Sequence, residues 1–319
     1  MASWQTRAVC LYLRATRKAR YSTTERGLQA LAKGIPPAAP PRTLEGRLFT
    51  EQVAGFEVSK VRPSASRSTM AGVLVYLHGG AFVNGIAKQH WDLVSFLADA
   101  TGREVWVPRY GLAPAHGADD ARAFLEAVHD RLRDDRAVHV LGDSAGGNLA
   151  LLLAQAHTGD RSIVGLTLIA PWLDLSISNP QIDAVEPHDP WLSRAGLRPI
   201  AVQWAGEHGL QDPAVSPLLG DLTKLPPTEI FVGTETSACR TAASCATEPC
   251  PRGPSPCTRT WGRRTSTRCC RPRRAAAPGT PSSGTSSGRS PAAEALPGRR
   301  GADHASIGNV SGGHACSFK

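Results

Sequence analysis

A strand, a sharp turn and a helix follow one another around Ser144, and this succession constrains the fold more than any other part of the chain. The apolar run Val138–Leu141 ends at Gly-Asp-Ser-Ala-Gly, residues 142–146, and an Ala- and Leu-rich segment follows. A serine in such a turn takes a strained backbone conformation that exposes its hydroxyl at the top of a sheet. Gly142 and Gly146 are predicted to be required because a Cβ at either position would meet the crossing backbone.

The Gly-x-Ser-x-Gly pattern by itself also occurs in ordinary loops. Here a strand precedes it and a helix follows it, and this context favours a turn that presents a nucleophile. The positive N-terminal end of the helix would then lie beside any oxyanion that forms at Ser144.

A second glycine-rich motif ends another apolar run. Residues 72–77 are typical of a strand buried on both faces, and His78-Gly79-Gly80 follows directly. Consecutive glycines allow backbone N–H groups to face a ligand without interference from side chains, as an oxyanion hole requires. A plain Gly-Gly turn explains this motif equally well in isolation. Together with the Ser144 turn, an oxyanion hole is the favoured interpretation.

Strands and helices alternate through the middle of the chain. Strands are predicted at residues 72–77, Glu104–Val107, Val138–Leu141 and Ile163–Ile169, with amphipathic helices between them. This order predicts an α/β fold with a doubly wound, mostly parallel sheet, in which ligands bind at the carboxyl ends of the strands. Two alternating runs, Leu48–Val53 and Phe56–Val61, predict a β-hairpin, and Thr228–Gly233 is the last predicted strand.

Three parts are predicted along the chain. Residues 1–44 comprise N-terminal cap helices and a linker, residues 45–235 form the core, and residues 236–319 are a basic tail. Within the core, an insertion at about 175–215 is expected to cover the serine as a lid. The basic face of the first helices could touch a membrane, but a solvated helix face is the commoner explanation. No signal peptide or membrane span is apparent, so a cytoplasmic protein is expected.

These motifs together resemble the hormone-sensitive-lipase-like (GDXG) family of α/β-hydrolases, carboxylesterases in which the His-Gly-Gly loop and the Gly-Asp-Ser-Ala-Gly-Gly elbow occur in this order. The resemblance covers roughly residues 1–235. It extends to Tyr110–Pro114, to Pro171–Asp174 and to the segment from Ser216 to Thr228.

The resemblance implies hydrolysis of small esters with short to medium acyl chains, without a metal or an organic cofactor. It implies that Ser144 is the nucleophile and that the N–H groups of Gly79, Gly80 and Ala145 form the oxyanion hole. The residues expected to support this site are His78, Gly142, Asp143 and Gly146. His78 would hold its loop in place rather than act as a base, and the N-terminal helices with the insertion would form a cap.

The acid and the base of a catalytic triad do not follow where this family has them. A serine needs a histidine to accept its proton and a carboxylate to orient that histidine. In the family, the acid lies in an Asp-x-Leu-x-Asp stretch and the histidine in a later Gly-x-x-His-x-Phe/Tyr stretch. Neither stretch is present after Thr234, and Glu235 lies one position before the expected acid. Seven other histidines are expected to be structural or solvated: His90, His116, His129, His139, His157, His188 and His208.

The composition of the tail favours a shift of reading frame as the reason that the acid and histidine stretches are missing. Residues 236–295 contain no Leu, Ile, Val, Met, Phe or Tyr, and residues 236–319 contain 13 Lys/Arg against 3 Asp/Glu. Such a segment cannot bury enough apolar surface to offset its ordering entropy. When the third base of each codon is joined to the next two bases, Glu235–Thr241 can encode Asp-Ile-x-Leu-Pro-Asp. Trp261–Arg271 can likewise encode Gly-Pro-Pro-His-Val-Tyr-x-Leu-Leu-Pro.

The chain as written is therefore predicted to carry a disordered, out-of-frame tail. Its activity would be impaired, and the last strand and helix of the fold would be missing, so that the sheet keeps an unpaired edge. A catalytically inactive protein that binds a ligand or partner is the alternative function.

Two other interpretations of the tail are disfavoured. An arginine-rich arm that binds nucleic acid would need more aromatic residues among its charges, and no nucleic-acid partner is expected. A zinc site fails on spacing, because Cys269 and Cys270 are adjacent while His304 and His314 are distant.

Overall fold

A computed structural model of the chain describes residues 4–64, 72–132, 137–232 and 267–268, all within one compact unit. The helices among these residues are α1 (Trp4–Thr16), α2 (Thr24–Ala32), α3 (Lys88–Thr101), α4 (Ala118–Asp130), α5 (Ala145–Ala156), α6 (Ile182–Val185) and α7 (Arg194–Ala205). Short 3₁₀ turns occupy Lys18–Tyr21, Arg42–Leu44 and Pro217–Leu219. None of the helices described is long and apolar enough to cross a bilayer.

One sheet carries the fold. Its strands are β1 (Leu48–Val53), β2 (Phe56–Val61), β3 (Val73–Leu77), β4 (Glu104–Pro108), β5 (Val138–Asp143), β6 (Ile163–Ile169), β7 (Thr228–Phe231) and β8 (Thr267–Arg268). They lie in the order β1-β2-β4-β3-β5-β6-β7-β8. The five strands β4, β3, β5, β6 and β7 are parallel, and β1 and β2 form the predicted antiparallel hairpin. The predicted doubly wound, mostly parallel α/β sheet is confirmed.

The far edge of the sheet differs from the prediction. β7 ends at Phe231, and β8 pairs with it in antiparallel fashion, with Glu229 opposite Arg268 and Ile230 opposite Thr267. The prediction of an unpaired edge was wrong at these positions, because strand pairing uses backbone groups and needs no apolar side chain. The remainder of residues 236–319, with the predicted disordered tail and the frameshifted motifs, lies outside the described residues.

The core lies on both faces of the sheet. All five residues of β3 are buried, and their side chains alternate between two apolar clusters, as the two-residue period of a strand requires. Val75 packs in the cluster that includes Phe124 of α4 and Leu149 of α5. Tyr76 packs in the other cluster, which includes Trp91 of α3. The central strands are therefore held rigidly from both sides.

The N-terminal helices pack against the insertion. A Cβ on Gly27 of α2 would collide with the carbonyl of Gly196 in α7, so the two helix backbones approach closely. Trp204 of α7 stacks on Phe82, with the ring centroids 4.2 Å apart. Helices α2 and α7, which are far apart in the sequence, therefore pack against each other, and α7 contacts the loop that follows β3.

Candidate active site

Ser144 lies in a strained turn between β5 and α5. Its backbone has φ +50° and ψ −116°, a region that costs a non-glycine residue on the order of 1–3 kcal/mol. Its N–H donates to the carbonyl of Ile169 at 2.9 Å, and its carbonyl accepts the N–H of Trp172 at 2.9 Å. The end of β6 and the segment after it therefore hold the strained conformation. Ser144 remains half-buried, while its neighbours on both sides are buried.

The glycines around Ser144 have no space for a side chain. A Cβ on Gly142 would collide with the carbonyl of Gly146, and a Cβ on Gly146 would collide with the carbonyl of Leu77. The predicted need for glycine at both positions is confirmed. This close approach joins the turn to the end of β3, where the second glycine motif begins.

Asp143 ties the serine turn to the loop after β3. Its Oδ1 accepts hydrogen bonds from Tyr76 Oη at 2.6 Å and from the N–H of Gly79 at 2.8 Å, and its Oδ2 lies 3.6 Å from Nε2 of His90. Burial favours a higher pKa for this carboxyl, but the nearby His90 ring and the hydrogen bonds from Tyr76 and Gly79 outweigh it, so the pKa of Asp143 is lowered. Asp143 is therefore a buried carboxylate that accepts two hydrogen bonds and lies beside His90.

The hydrogen bond from Gly79 changes its expected part in the oxyanion hole. Its N–H donates to Asp143 Oδ1 at 2.8 Å, so it is not a free donor in this structure. Among the described residues, the N–H groups of Gly80 and Ala145 have no hydrogen-bond partner. The sequence could not separate the two glycines, because the partner of Gly79 comes from another strand.

His78 is enclosed by the loop that it begins. It is 2% exposed, and its ring stacks on Tyr110 with the centroids 4.7 Å apart. Its Nδ1 lies 2.7 Å from the carbonyl of Gly79, which makes Nδ1 the donor nitrogen. Burial lowers the pKa of His78 to about 4. A neutral, fully packed imidazole suits the expected role of holding the loop.

This lowered pKa predicts a pH-dependent stability. Between about pH 4 and pH 6.5 the unfolded chain binds a proton at residue 78 that the folded chain excludes, so the free energy of unfolding rises with pH across that window. The displacement from 6.5 to about 4 corresponds to about 3 kcal/mol at most. Urea unfolding at half-unit steps of pH measures it. We expect His78→Asn to reduce the dependence of the free energy of unfolding on pH in this window. His188→Asn, at an exposed histidine, should leave that dependence unchanged. An equal pH dependence in the two variants would refute the contribution assigned to His78.

Asn84 is a positioning residue that the sequence analysis missed. Its Nδ2 donates to the carbonyl of Gly80 at 2.9 Å and lies 2.8 Å from Tyr21 Oη, while its Oδ1 accepts the N–H of Ile35 at 3.0 Å. One amide thus connects the glycine loop to the segment after α1. The available signal was a single amide within the otherwise apolar stretch Ala81–Ile86.

The described part of the chain supplies no base to Ser144. No histidine or carboxylate there forms a hydrogen bond with the Ser144 hydroxyl, and several of the histidines have other partners. His90 accepts the N–H of Ala87, His139 pairs with Thr167, and His208 lies between Asp119 and Asp212. The segments in which the family carries its triad acid and histidine would lie beyond residue 232, outside the described residues.

A cavity of about 590 Å³ lies within the insertion. It is lined by residues 175–178 and 209–211 and by Arg194 and Arg198. Its lining does not include Ser144 or Gly80, so this cavity is separate from the serine turn.

The similarity to known proteins covers the core of the sheet. A sequence profile of the alpha/beta hydrolase fold matches residues 74–247. The chain belongs to the α/β-hydrolase fold family. It is 32% identical over 221 residues to a triacylglycerol lipase of Mycobacterium tuberculosis, covering 65% of this chain and 46% of that protein. It is 31% identical over 192 residues to an esterase of Acinetobacter venetianus, covering 58% of this chain and 62% of that protein.

The chain thus spans about half to three-fifths of the length of these curated relatives. Among solved structures, a hormone-sensitive lipase from a metagenome library matches with a TM-score of 0.59 at 23% identity, over 76% of this chain and 82% of that one. That likeness supports the fold. The match over residues 74–247 confirms the predicted α/β-hydrolase assignment.

Proposed function

We propose that this α/β hydrolase is a serine hydrolase of the carboxylesterase type, which acts on small esters with short to medium acyl chains. The observation that carries the proposal is the strained backbone of Ser144, with φ +50°, together with the N–H groups of Gly80 and Ala145, which have no hydrogen-bond partner among the described residues. The names of the relatives, a lipase and an esterase, support carboxylic esters as the substrate class. A cytoplasmic location stays part of the proposal.

The proposed chemistry follows acyl transfer. Ser144 Oγ adds to the ester carbonyl carbon and loses its proton to a histidine, and the N–H groups of Gly80 and Ala145 stabilise the oxyanion. Collapse of this intermediate breaks the bond to the alcohol oxygen, which takes the proton from the histidine. Water then releases the carboxylic acid from acyl-Ser144 by the same two steps. Gly79 acts here by positioning the loop through Asp143.

We further propose that the chain as written performs this reaction poorly. The residues after Thr234 are read out of frame in this interpretation, and the triad acid and histidine are lost with them. A serine hydrolase that keeps its oxyanion hole but lacks the triad acid and histidine retains only weak activity. The absence of a base beside Ser144 among the described residues equally supports the second candidate, an inactive protein that keeps the pocket for a ligand.

A fluorophosphonate probe tests the role of Ser144. We expect slow labelling of the chain as written, located on Ser144 by mass spectrometry, and none in Ser144→Ala. Labelling of other serines at the same rate in both proteins would overturn the proposal. A chain that hydrolyses no ester but binds a non-hydrolysable ester analogue, with a Kd unchanged in Ser144→Ala, would support the inactive ligand-binding protein instead.

A further inference from the structure

Two histidines and an aspartate meet at the end of the sheet opposite Ser144. His129 lies in the last turn of α4, His157 directly follows α5, and Asp160 lies in the loop before β6. The histidine rings stack with their centroids 3.8 Å apart, and Nε2 of His129 lies 3.6 Å from Oδ2 of Asp160. One potential ligand atom from each of the three residues lies within 4.8 Å of the other two.

The nitrogens of this cluster are incompletely satisfied. His129 is 2% exposed, its Nε2 contacts Ser162 Oγ at 2.9 Å, and its Nδ1 has no hydrogen-bond partner. Nε2 of His157 is 2.7 Å from Oε2 of Glu126 but is not aligned for a hydrogen bond. A buried polar atom without a partner costs about 1–3 kcal/mol. A bound metal ion that accepts the electron pairs of His129 Nδ1 and His157 Nε2 would relieve this cost.

The surroundings favour a cation at this position. The carboxyl ends of α4 and α5 both lie here, and a helix C-terminus carries a partial negative charge of about half an electron. Glu126 and Asp160 add full negative charges.

We propose that His129, His157 and Asp160 bind one divalent transition-metal ion of the Zn²⁺ class. Two imidazole nitrogens and one carboxylate oxygen form a set that Zn²⁺ favours, whereas Mg²⁺ and Ca²⁺ prefer oxygen ligands alone. Zinc–ligand bonds of about 2.0–2.2 Å place tetrahedral ligand atoms about 3.4 Å apart, so atoms that now lie within 4.8 Å of one another must approach by up to about 1.4 Å. His157, which is partly exposed, can supply that movement, and water or Glu126 can complete the coordination.

The proposed ion would act on the fold rather than on the ester. It would join the ends of α4, α5 and the loop before β6, whereas Ser144 lies at the far end of α5, about 18 Å away along a 12-residue helix. The inference is therefore independent of the proposed esterase activity. The three residues are separated in the sequence and come together only through the packing of α4 on α5.

Metal titration of the full-length protein tests this site. Cysteine thiols are alkylated first, so that the eight cysteines of the chain do not bind the ion, and EDTA is removed before Zn²⁺ is titrated in a calorimeter. We expect one Zn²⁺ per chain, a rise in the midpoint of thermal unfolding, and visible absorption bands of four-coordinate Co²⁺ when Co²⁺ replaces Zn²⁺. In His157→Ala and Asp160→Asn, Kd should rise at least about tenfold.

His188→Ala is the matched control, because it removes an exposed histidine outside the cluster and should leave Kd unchanged. Circular dichroism confirms that each variant is folded, and Asp160→Asn retains the oxygen that accepts the N–H of Ser162. The proposal is overturned if the parent protein binds no Zn²⁺, or if His157→Ala and Asp160→Asn bind it as tightly as the parent.

Discussion

Restoring the alternative reading frame after Thr234 is expected to raise kcat for ester hydrolysis by about 10⁴ or more, the scale on which serine hydrolases depend on their triad. The one-base change would encode Asp-Ile-x-Leu-Pro-Asp in place of Glu235–Thr241 and Gly-Pro-Pro-His-Val-Tyr in place of the segment from Trp261. These stretches would supply an acid and a histidine, which the described residues do not offer to Ser144. The described core already holds Ser144 in its strained conformation.

Both chains are assayed with p-nitrophenyl acetate and with longer acyl esters. Ser144→Ala in the restored chain should return the rate to that of the chain as written, because the histidine has no other nucleophile to activate. A restored chain that folds but is no more active than the original would contradict the frameshift proposal while leaving the family assignment intact. Sequencing of independently prepared DNA across the codons for Thr228–Arg240 shows which of the two chains the gene encodes.

The fold was predictable from the sequence where local patterns determine it. The two-sided burial of β3 and the turn around Ser144 are each encoded within a dozen consecutive residues, and the hairpin of β1 and β2 within Leu48–Val61. Apolar runs and glycine positions carry this information without reference to distant residues. The same logic explains the error at β8, since pairing through backbone groups leaves no mark on composition.

Contacts between distant residues were not predictable in this way. The hydrogen bond from Gly79 to Asp143 joins residues 64 positions apart, and it occupies the N–H of one of the three expected oxyanion donors. Asn84 bridges to Ile35 across 49 positions. The His129–His157 pair likewise forms only when α4 packs on α5. Each of these contacts depends on the completed sheet, which a single sequence does not reveal.

Asp143→Ala is expected to lower the free energy of unfolding by about 3–5 kcal/mol, the usual cost of removing one partner from a buried charged network. The substitution leaves the Tyr76 hydroxyl and the Gly79 N–H buried without an acceptor, since Oδ1 serves both. Asp143→Asn keeps an oxygen at that position and should cost less. Asp92→Ala removes a carboxylate from an exposed pair with Lys88 and should cost about 0.5 kcal/mol.

Urea unfolding at pH 7 compares the three variants, and a loss in Asp143→Ala no greater than that in Asp92→Ala would contradict the role assigned to Asp143. Acid adds a second test. Because the folded state lowers the pKa of Asp143, its stabilisation is complete above the unfolded pKa of about 4 and disappears as the pH falls through the lower folded value. Because an asparagine at position 143 does not titrate, Asp143→Asn should lose less of its free energy of unfolding in acid than the parent protein. The carboxylate that connects the serine turn to the glycine loop would then be shown to stabilise both through its charge.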